Sequence, residues 1–70
     1  MKTRLFLVTV HYEDHKESSA YGIEADNDVA ARASALLFVE NENAHRWGRG
    51  FEPLRVDYCE ITLFADVRES

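Results

Sequence analysis

The first predicted element is a β-strand, because residues 4–14 place apolar side chains at every second position of a stretch rich in β-forming residues. Successive side chains of a strand point to opposite faces. One face is therefore fully apolar, with Phe6, Val8, Val10 and Tyr12, and the other carries Leu5, Leu7, Thr9 and His11.

A hairpin follows from the polar run "EDHKES" at 13–18, which permits a chain reversal. The next segment, "SAYGIEA", has Tyr21, Ile23 and Ala25 in step, so residues 4–26 are predicted to form two antiparallel strands. Gly22 either weakens the second strand or marks a bulge.

A helix is predicted after "EADND", where Asp26 or Asn27 can cap the first turn and Asp28 suits the positive end of the helix dipole. It should fade through "ENENAH" and end before the "GRG" of residues 48–50. Its central part, "VAARASALLFVE", is apolar nearly all the way round. We assign to the core the side with Val29, Ala30, Ala33, Leu36 and Leu37, which leaves a second apolar side with Ala31, Ala35, Phe38 and Val39.

A third strand is predicted over residues 54–67, after a loop containing Pro53. Its alternation slips between Tyr58 and Ile61, which indicates a bulge or bend there. The order β-β-α-β predicts one α+β domain over residues 1–70, with a three-stranded antiparallel sheet in the order 2-1-3 covered on one face by a single helix. Val8 and Leu37 should belong to its main core.

Both layers of this fold carry more apolar surface than one small chain can hide. The sheet has Leu5 and Leu7 on its uncovered face, and the helix has Phe38 and Val39 on its second side. Such patches usually mark an association surface, so these four residues are the candidate interface of a homodimer. Replacing Phe38 or Val39 by Asp should dissociate it, unless the contact uses the sheet.

Composition narrows the class of protein. Thirteen acidic against eight basic residues give a formal charge of -5, which repels polyanions and makes direct nucleic-acid binding unlikely. The single Cys59 excludes an internal disulfide, and the longest apolar stretch is too short to span a membrane. A reduced cytoplasmic location without a membrane anchor is the expectation.

Candidate chemistry is sparse. In "HYEDH", His11, Glu13 and His15 occupy alternate positions and would project from one face of a strand as metal ligands, which Cys59 could join; a solvated hairpin end is the alternative. Cys59 as a nucleophile would need a neighbouring base, and a buried structural thiol is the alternative that we favour. The pairs Asp57 with Glu60 and Glu40 with Glu42 could act as acid and base, but so small a fold has little room for a deep pocket. We therefore expect neither an enzyme nor a cofactor or metal site.

The segment "HRWGRGF" at 45–51 concentrates arginine and aromatic residues, namely Arg46, Trp47, Arg49 and Phe51. It is typical of a protein-binding loop, or of a loop that stacks RNA bases. Alternatively, a glycine ends the helix while Trp47 and Phe51 fold back onto the core. Arg46 and Arg49 should be exposed in either case. Two acidic clusters either form a solvated rim or face a basic groove of a partner. They consist of Glu13, Asp14 and Glu17, and of Glu24, Asp26 and Asp28.

The strand "KTRLFLVTVHYED", the junction "YGIEADNDVAARASAL" and the terminal strand "LRVDYCEITLF" together resemble small acidic phage and mobile-element proteins of the anti-CRISPR inhibitor type. The resemblance implies a stoichiometric viral inhibitor that blocks a host defence protein or nucleic-acid-handling complex from the host cytoplasm. The sequence thus favours a non-catalytic protein-binding module, with a small RNA- or DNA-binding accessory protein as the alternative.

Overall fold

The described part of the chain folds as one sheet and one helix. The computed structural model describes residues 3–67, so residues 1–2 and 68–70 of the predicted domain lie outside the described part. The elements follow the order β1 (Thr3–Tyr12), β2 (Ser18–Ala25), α1 (Asp28–Gly48) and β3 (Val56–Val67). The predicted α+β class and β-β-α-β order are confirmed.

The sheet has the predicted order β2-β1-β3, with β1 in the centre and antiparallel to both neighbours. Leu7 lies in the middle of β1 and is paired with Gly22 on one side and Thr62 on the other. The β1–β2 register runs without interruption through Gly22, so the interpretation of this glycine as a bulge is wrong.

Strand β3 is irregular at two positions, but not where the sequence pattern suggested. Its pairing with β1 shifts once at Asp57 and once at Phe64, each of which is an additional residue on β3. Between Tyr58 and Ile61 the pairing is regular, so the predicted site of the bulge is wrong. The physical reason is that β3 carries apolar side chains on both faces, and hydrophobicity alone therefore does not follow one face of the strand.

Helix α1 begins where capping chemistry predicts. The Asn27 side chain accepts a hydrogen bond from the Ala30 N–H at 2.8 Å, and Oδ1 of Asp28 accepts one from the Val29 N–H at 3.0 Å. Asn27 is thus the N-cap. The helix does not fade through residues 41–46 but continues to Gly48, because tertiary contacts described below hold this part in place.

The core lies between α1 and one face of the sheet. It contains the predicted strand face together with three residues of the helix: Phe6, Val8, Val10, Tyr12, Ile23, Ala31, Ala35 and Val39. Val8 is fully buried, as predicted, whereas Leu37 is 61% exposed and its assignment to the core is wrong. The helix presents the opposite side from the one we assigned. Bulky sheet residues fill the space between the layers, so the small side chains of Ala31 and Ala35 allow the close approach of the helix.

Candidate functional site

The end of α1 is a tight cap that positions the "RWGRGF" segment. The N–H of Phe51 donates to the carbonyl of Arg46 at 2.8 Å, and the N–H of Gly50 donates to the carbonyl of Trp47 at 3.1 Å. This pair of hydrogen bonds, with Gly50 at φ 82°, defines a Schellman motif. A glycine does end the helix, as one of the predicted alternatives required, and its left-handed backbone is the reason.

Arg46 belongs to this cap and not to the free surface. Its Nε donates to the carbonyl of Glu52 at 2.8 Å, and its guanidinium carbon lies 5.6 Å from the centroid of the Phe51 ring. The side chain is half-buried. The prediction that Arg46 projects into solvent is therefore wrong, whereas Arg49 is exposed as predicted.

Trp47 and Phe51 form an exposed aromatic patch at this end of the molecule. Their side chains are 78% and 56% exposed, so the alternative in which they fold back onto the core is wrong. They line a cleft of about 400 Å³ together with Gly50, Glu52 and Pro53. We call these five residues the helix-end patch.

The acidic turn between β1 and β2 lies beside the same loop. The N–H of Glu13 donates to the carbonyl of Arg55 at 2.9 Å. Asp14 shares a cleft of about 410 Å³ with Arg46 and Pro53, and Glu17 shares a smaller one of about 170 Å³ with Arg46. The fold thus brings Arg46 and the loop after the helix next to the predicted acidic residues Asp14 and Glu17, which are far from them in the sequence.

A second exposed surface runs along the helix, on the side opposite its buried residues. Helical geometry places six positions there: Val29, Ala33, Leu37, Glu40, Ala44 and Trp47. We call this row the outer stripe. Val29 is 75% exposed and Leu37 is 61% exposed, and Glu40 is the one charged residue among the six. The stripe meets the helix-end patch at Trp47. The helical pattern of the sequence does not identify Val29 and Leu37 as surface residues, because both sides of the helix are apolar.

A third surface is the sheet face turned away from the helix, which we call the open sheet face. From the register, β1 contributes Leu5, Leu7, Thr9 and His11, β2 contributes Ser18, Ala20, Gly22 and Glu24, and β3 contributes Tyr58, Glu60, Thr62 and Ala65. The His11 ring stacks on Tyr58 with centroids 4.4 Å apart, and its Nε2 lies 2.7 Å from Oε1 of Glu60. The pair is close in distance, but Nε2 makes no hydrogen bond of good geometry among the described residues.

The four residues predicted at a dimer interface separate in the structure. Leu5 and Leu7 lie on the open sheet face. Phe38 stacks on Tyr21 of the same chain with ring centroids 5.3 Å apart, and it remains half exposed. Val39 is 3% exposed and packs in the core, so its placement on an outer side of the helix is wrong.

The candidate metal ligands also separate. His11 lies on the open sheet face, whereas the His15 ring meets the edge of Tyr12, a core-face residue, at a centroid distance of 6.3 Å. The expectation that His11, Glu13 and His15 share one face of a strand is wrong, because β1 ends at Tyr12. Within residues 3–67, no three His, Cys, Asp or Glu side chains form a group that could hold a metal ion.

The remaining candidates for chemistry are also scattered. Cys59 is half-buried mid-strand and pairs with Val10 on the core side. It borders a cleft of about 390 Å³ at the start of the helix, together with Asp28, Val29, Arg32, Asp57, Tyr58 and Ile61. Glu40 and Glu42 point to opposite sides of α1, so they form no carboxylate pair.

In the described part of the chain, no helix combines the length and the apolar character needed to cross a membrane. No known protein family, curated protein or solved structure matches this chain.

Proposed function

We propose that the protein is a non-catalytic protein-binding module whose partner packs against the outer stripe and the helix-end patch. One observation carries the proposal: Trp47, where the two surfaces meet, is 78% exposed although it is a residue with much apolar area to bury. Tryptophan is also among the residues that most often dominate protein interfaces.

The order of the helix end supports a binding role. The Schellman hydrogen bonds and the Arg46 contact with the Glu52 carbonyl fix the backbone on both sides of Phe51, whose ring is 56% exposed. A backbone that is already ordered loses little conformational entropy when a partner binds. The patch is therefore prepared for association.

The outer stripe extends the apolar surface along the helix. Of the six residues in the row from Val29 to Trp47, only Glu40 is charged and the other five are apolar. Amphipathic helices bind hydrophobic grooves through such rows of side chains at helical spacing. A partner with an apolar groove fits the stripe.

The acidic turn supports a finer proposal about the partner. Asp14 and Glu17 lie beside the helix-end loop, and the chain has a net charge of -5. A basic surface, such as the nucleic-acid groove of a host defence or nucleic-acid-processing protein, complements this end of the molecule. Together with the resemblance to phage inhibitors, this favours a stoichiometric inhibitor that occupies the groove in place of nucleic acid.

The test is capture of the partner by the purified chain, followed by measurement of its affinity for matched variants. Trp47→Gln and Leu37→Gln alter exposed residues and should leave folding intact, while each weakens the complex by about tenfold or more. Leu7→Thr changes a half-exposed leucine on the opposite side of the molecule and should retain the affinity. A partner that binds all three variants equally would remove the outer stripe from the interface.

A second measurement separates this proposal from direct nucleic-acid binding. A gel-shift series with RNA and DNA at increasing salt should show no complex, since Arg46 is held within the cap and the chain is acidic. A complex that weakens steeply with salt would instead indicate phosphate contacts and the accessory-protein alternative.

A further inference from the structure

The open sheet face is apolar at its centre and polar only toward its margins. Leu5 and Leu7 lie on the central strand, and the residues beside Leu7 are Gly22 and Thr62. Gly22 leaves a shallow depression next to the two leucines, since even an added Cβ there would only just contact Leu5. The acidic residues Glu24 and Glu60 lie on the two outer strands. This arrangement of an apolar centre and a polar rim is that of a protein interface.

The shape of the chain leaves this face without cover. The molecule measures 43 × 22 × 15 Å, and its radius of gyration is 13.4 Å. A compact chain of this length has a radius of gyration of about 11 Å. The helix covers one side of the sheet, so the shortest dimension, 15 Å, spans only two layers, the helix and the sheet.

The exposed area agrees with a missing third layer. The chain exposes 5456 Å², whereas a compact monomer of this mass exposes about 4,500 Å². The excess is close to the roughly 800 Å² that each partner buries in a standard protein interface. To this exposed area the open sheet face contributes two large apolar side chains, Leu7 at 41% and Tyr58 at 49% exposure.

We propose that a second copy of this chain covers the open sheet face, so that two sheets pack against each other and the two helices face outward. Two-fold symmetry makes the same patch serve both chains. Leu7 of each chain would then enter the depression at Gly22 of the other, with the sheets about 10 Å apart as in β-sandwiches. The outer stripes remain free on both sides of the dimer, so this inference does not depend on the proposed function.

Charge at the rim gives the dimer a specific salt dependence. Among the described residues, the carboxylates of the open sheet face are Glu24 on β2 and Glu60 on β3. Within the described registers neither outer strand carries a lysine or an arginine on this face, so the rims of the two copies carry like charge. Salt screens this repulsion. The dimer should tighten as the ionic strength rises, in contrast to a complex held by ion pairs.

The experiment is sedimentation equilibrium on the full chain and on two variants. The wild-type chain should be dimeric at micromolar concentration. Leu7→Thr keeps a β-forming residue in β1 and should raise the dimer dissociation constant by at least about tenfold, because each dimer loses two buried leucines. Leu37→Gln keeps a helix-forming residue in the outer stripe and should leave the dissociation constant unchanged. Circular dichroism verifies that both variants are folded.

Two results would overturn the proposal. A wild-type chain that stays monomeric to about 100 μM would show that the open sheet face is not covered by a second copy, since this corresponds to an association weaker than about 5.5 kcal/mol. A dimer that dissociates with Leu37→Gln but not with Leu7→Thr would place the second copy on the helix. The first result does not bear on partner capture through Trp47, whereas the second would put the second copy on the outer stripe itself. Failure of this inference alone is therefore distinguishable from failure of the proposed function.

Discussion

The side-chain amide of Asn43 forms two hydrogen bonds with the backbone of Leu54: Nδ2 donates to the carbonyl at 3.1 Å, and Oδ1 accepts from the N–H at 2.7 Å. The contact joins the last third of α1 to the loop that leads into β3. Asparagine has a low helix propensity, so Asn43 by itself weakens the helix. Its side chain nevertheless fixes the position of the loop that follows the helix.

Asn43→Ala should lower the free energy of unfolding by about 1–3 kcal/mol, because both partly buried backbone groups of Leu54 lose their partner. Asn41→Ala is the matched control, since Asn41 is exposed in the same helix and should change stability by less than about 0.7 kcal/mol. Urea unfolding measures both. Equal changes in the free energy of unfolding for the two variants would show that Asn43 acts only through its helix propensity.

Gly50 and Gly48 should respond differently to alanine. Gly50 has φ 82°, and Ala in this left-handed conformation costs roughly 1–2 kcal/mol. Gly48 lies at the end of the helix, and a methyl group at its Cβ position would meet nothing within 4 Å, so Gly48→Ala should be neutral or stabilising by up to about 1 kcal/mol. The two melting temperatures should therefore move in opposite directions or by clearly different amounts.

Arg46→Ala should destabilise the chain by about 1 kcal/mol, since it removes the hydrogen bond to the Glu52 carbonyl and the contact with Phe51. Arg49→Ala, an exposed change three residues later, should stay within about 0.5 kcal/mol. Changing the two arginines one at a time separates an effect on stability, expected for Arg46, from an effect on partner binding. Identical melting curves for the two variants would contradict the role of Arg46 in the cap.

Val39→Asp should unfold the protein and not merely dissociate a dimer, because Val39 is 3% exposed between the helix and the sheet. An unpaired charge at a buried site costs several kcal/mol, a large share of the stability of a small domain. Leu37→Asp, two residues earlier and 61% exposed, should remain folded. Far-UV circular dichroism distinguishes the outcomes, and a folded Val39→Asp variant would show that the helix presents a different side.

Stability should fall at alkaline pH through Tyr12. Burial raises the pKa of its hydroxyl above the ordinary value of 10, and the hydroxyl donates a hydrogen bond to Oγ of Ser19 at 2.7 Å. Because the pKa is raised in the folded state, the Tyr12 hydroxyl of the unfolded chain loses its proton at a lower pH. The contribution of Tyr12 to the free energy of unfolding is therefore complete below pH 10, and it is lost as the pH rises through the pKa of the folded state. Tyr12→Phe should lose about 1 kcal/mol at neutral pH and show a weaker decline above pH 10. If Tyr12→Phe lost as much stability above pH 10 as the unchanged chain does, the alkaline loss would come from other groups.

Local sequence patterns specify the elements of this protein. The period-2 pattern around Val8 defines the buried face of β1, because only one face of the central strand meets the helix. The Asn27 cap and the Gly50 stop act within a few residues of chain, so they can be recognised locally. The element order then restricts the sheet to a small set of topologies.

The buried side of the helix, in contrast, follows from tertiary packing. Leu37 and Val39 lie on two sides that are almost equally apolar, so the helical period contains no information that separates them. The choice depends on volume: the sheet already supplies large side chains, and the alanine side of the helix complements them.

Tertiary packing also sets the roles of the polar residues near the candidate site. Asn43 and Arg46 bond to backbone groups that are 6–11 residues away in sequence, and those partners are defined only once the loop is folded. The closeness of the acidic turn to the helix-end patch has the same origin. Residues far apart in the chain meet because β1 ends where α1 ends, and no local pattern encodes that distance.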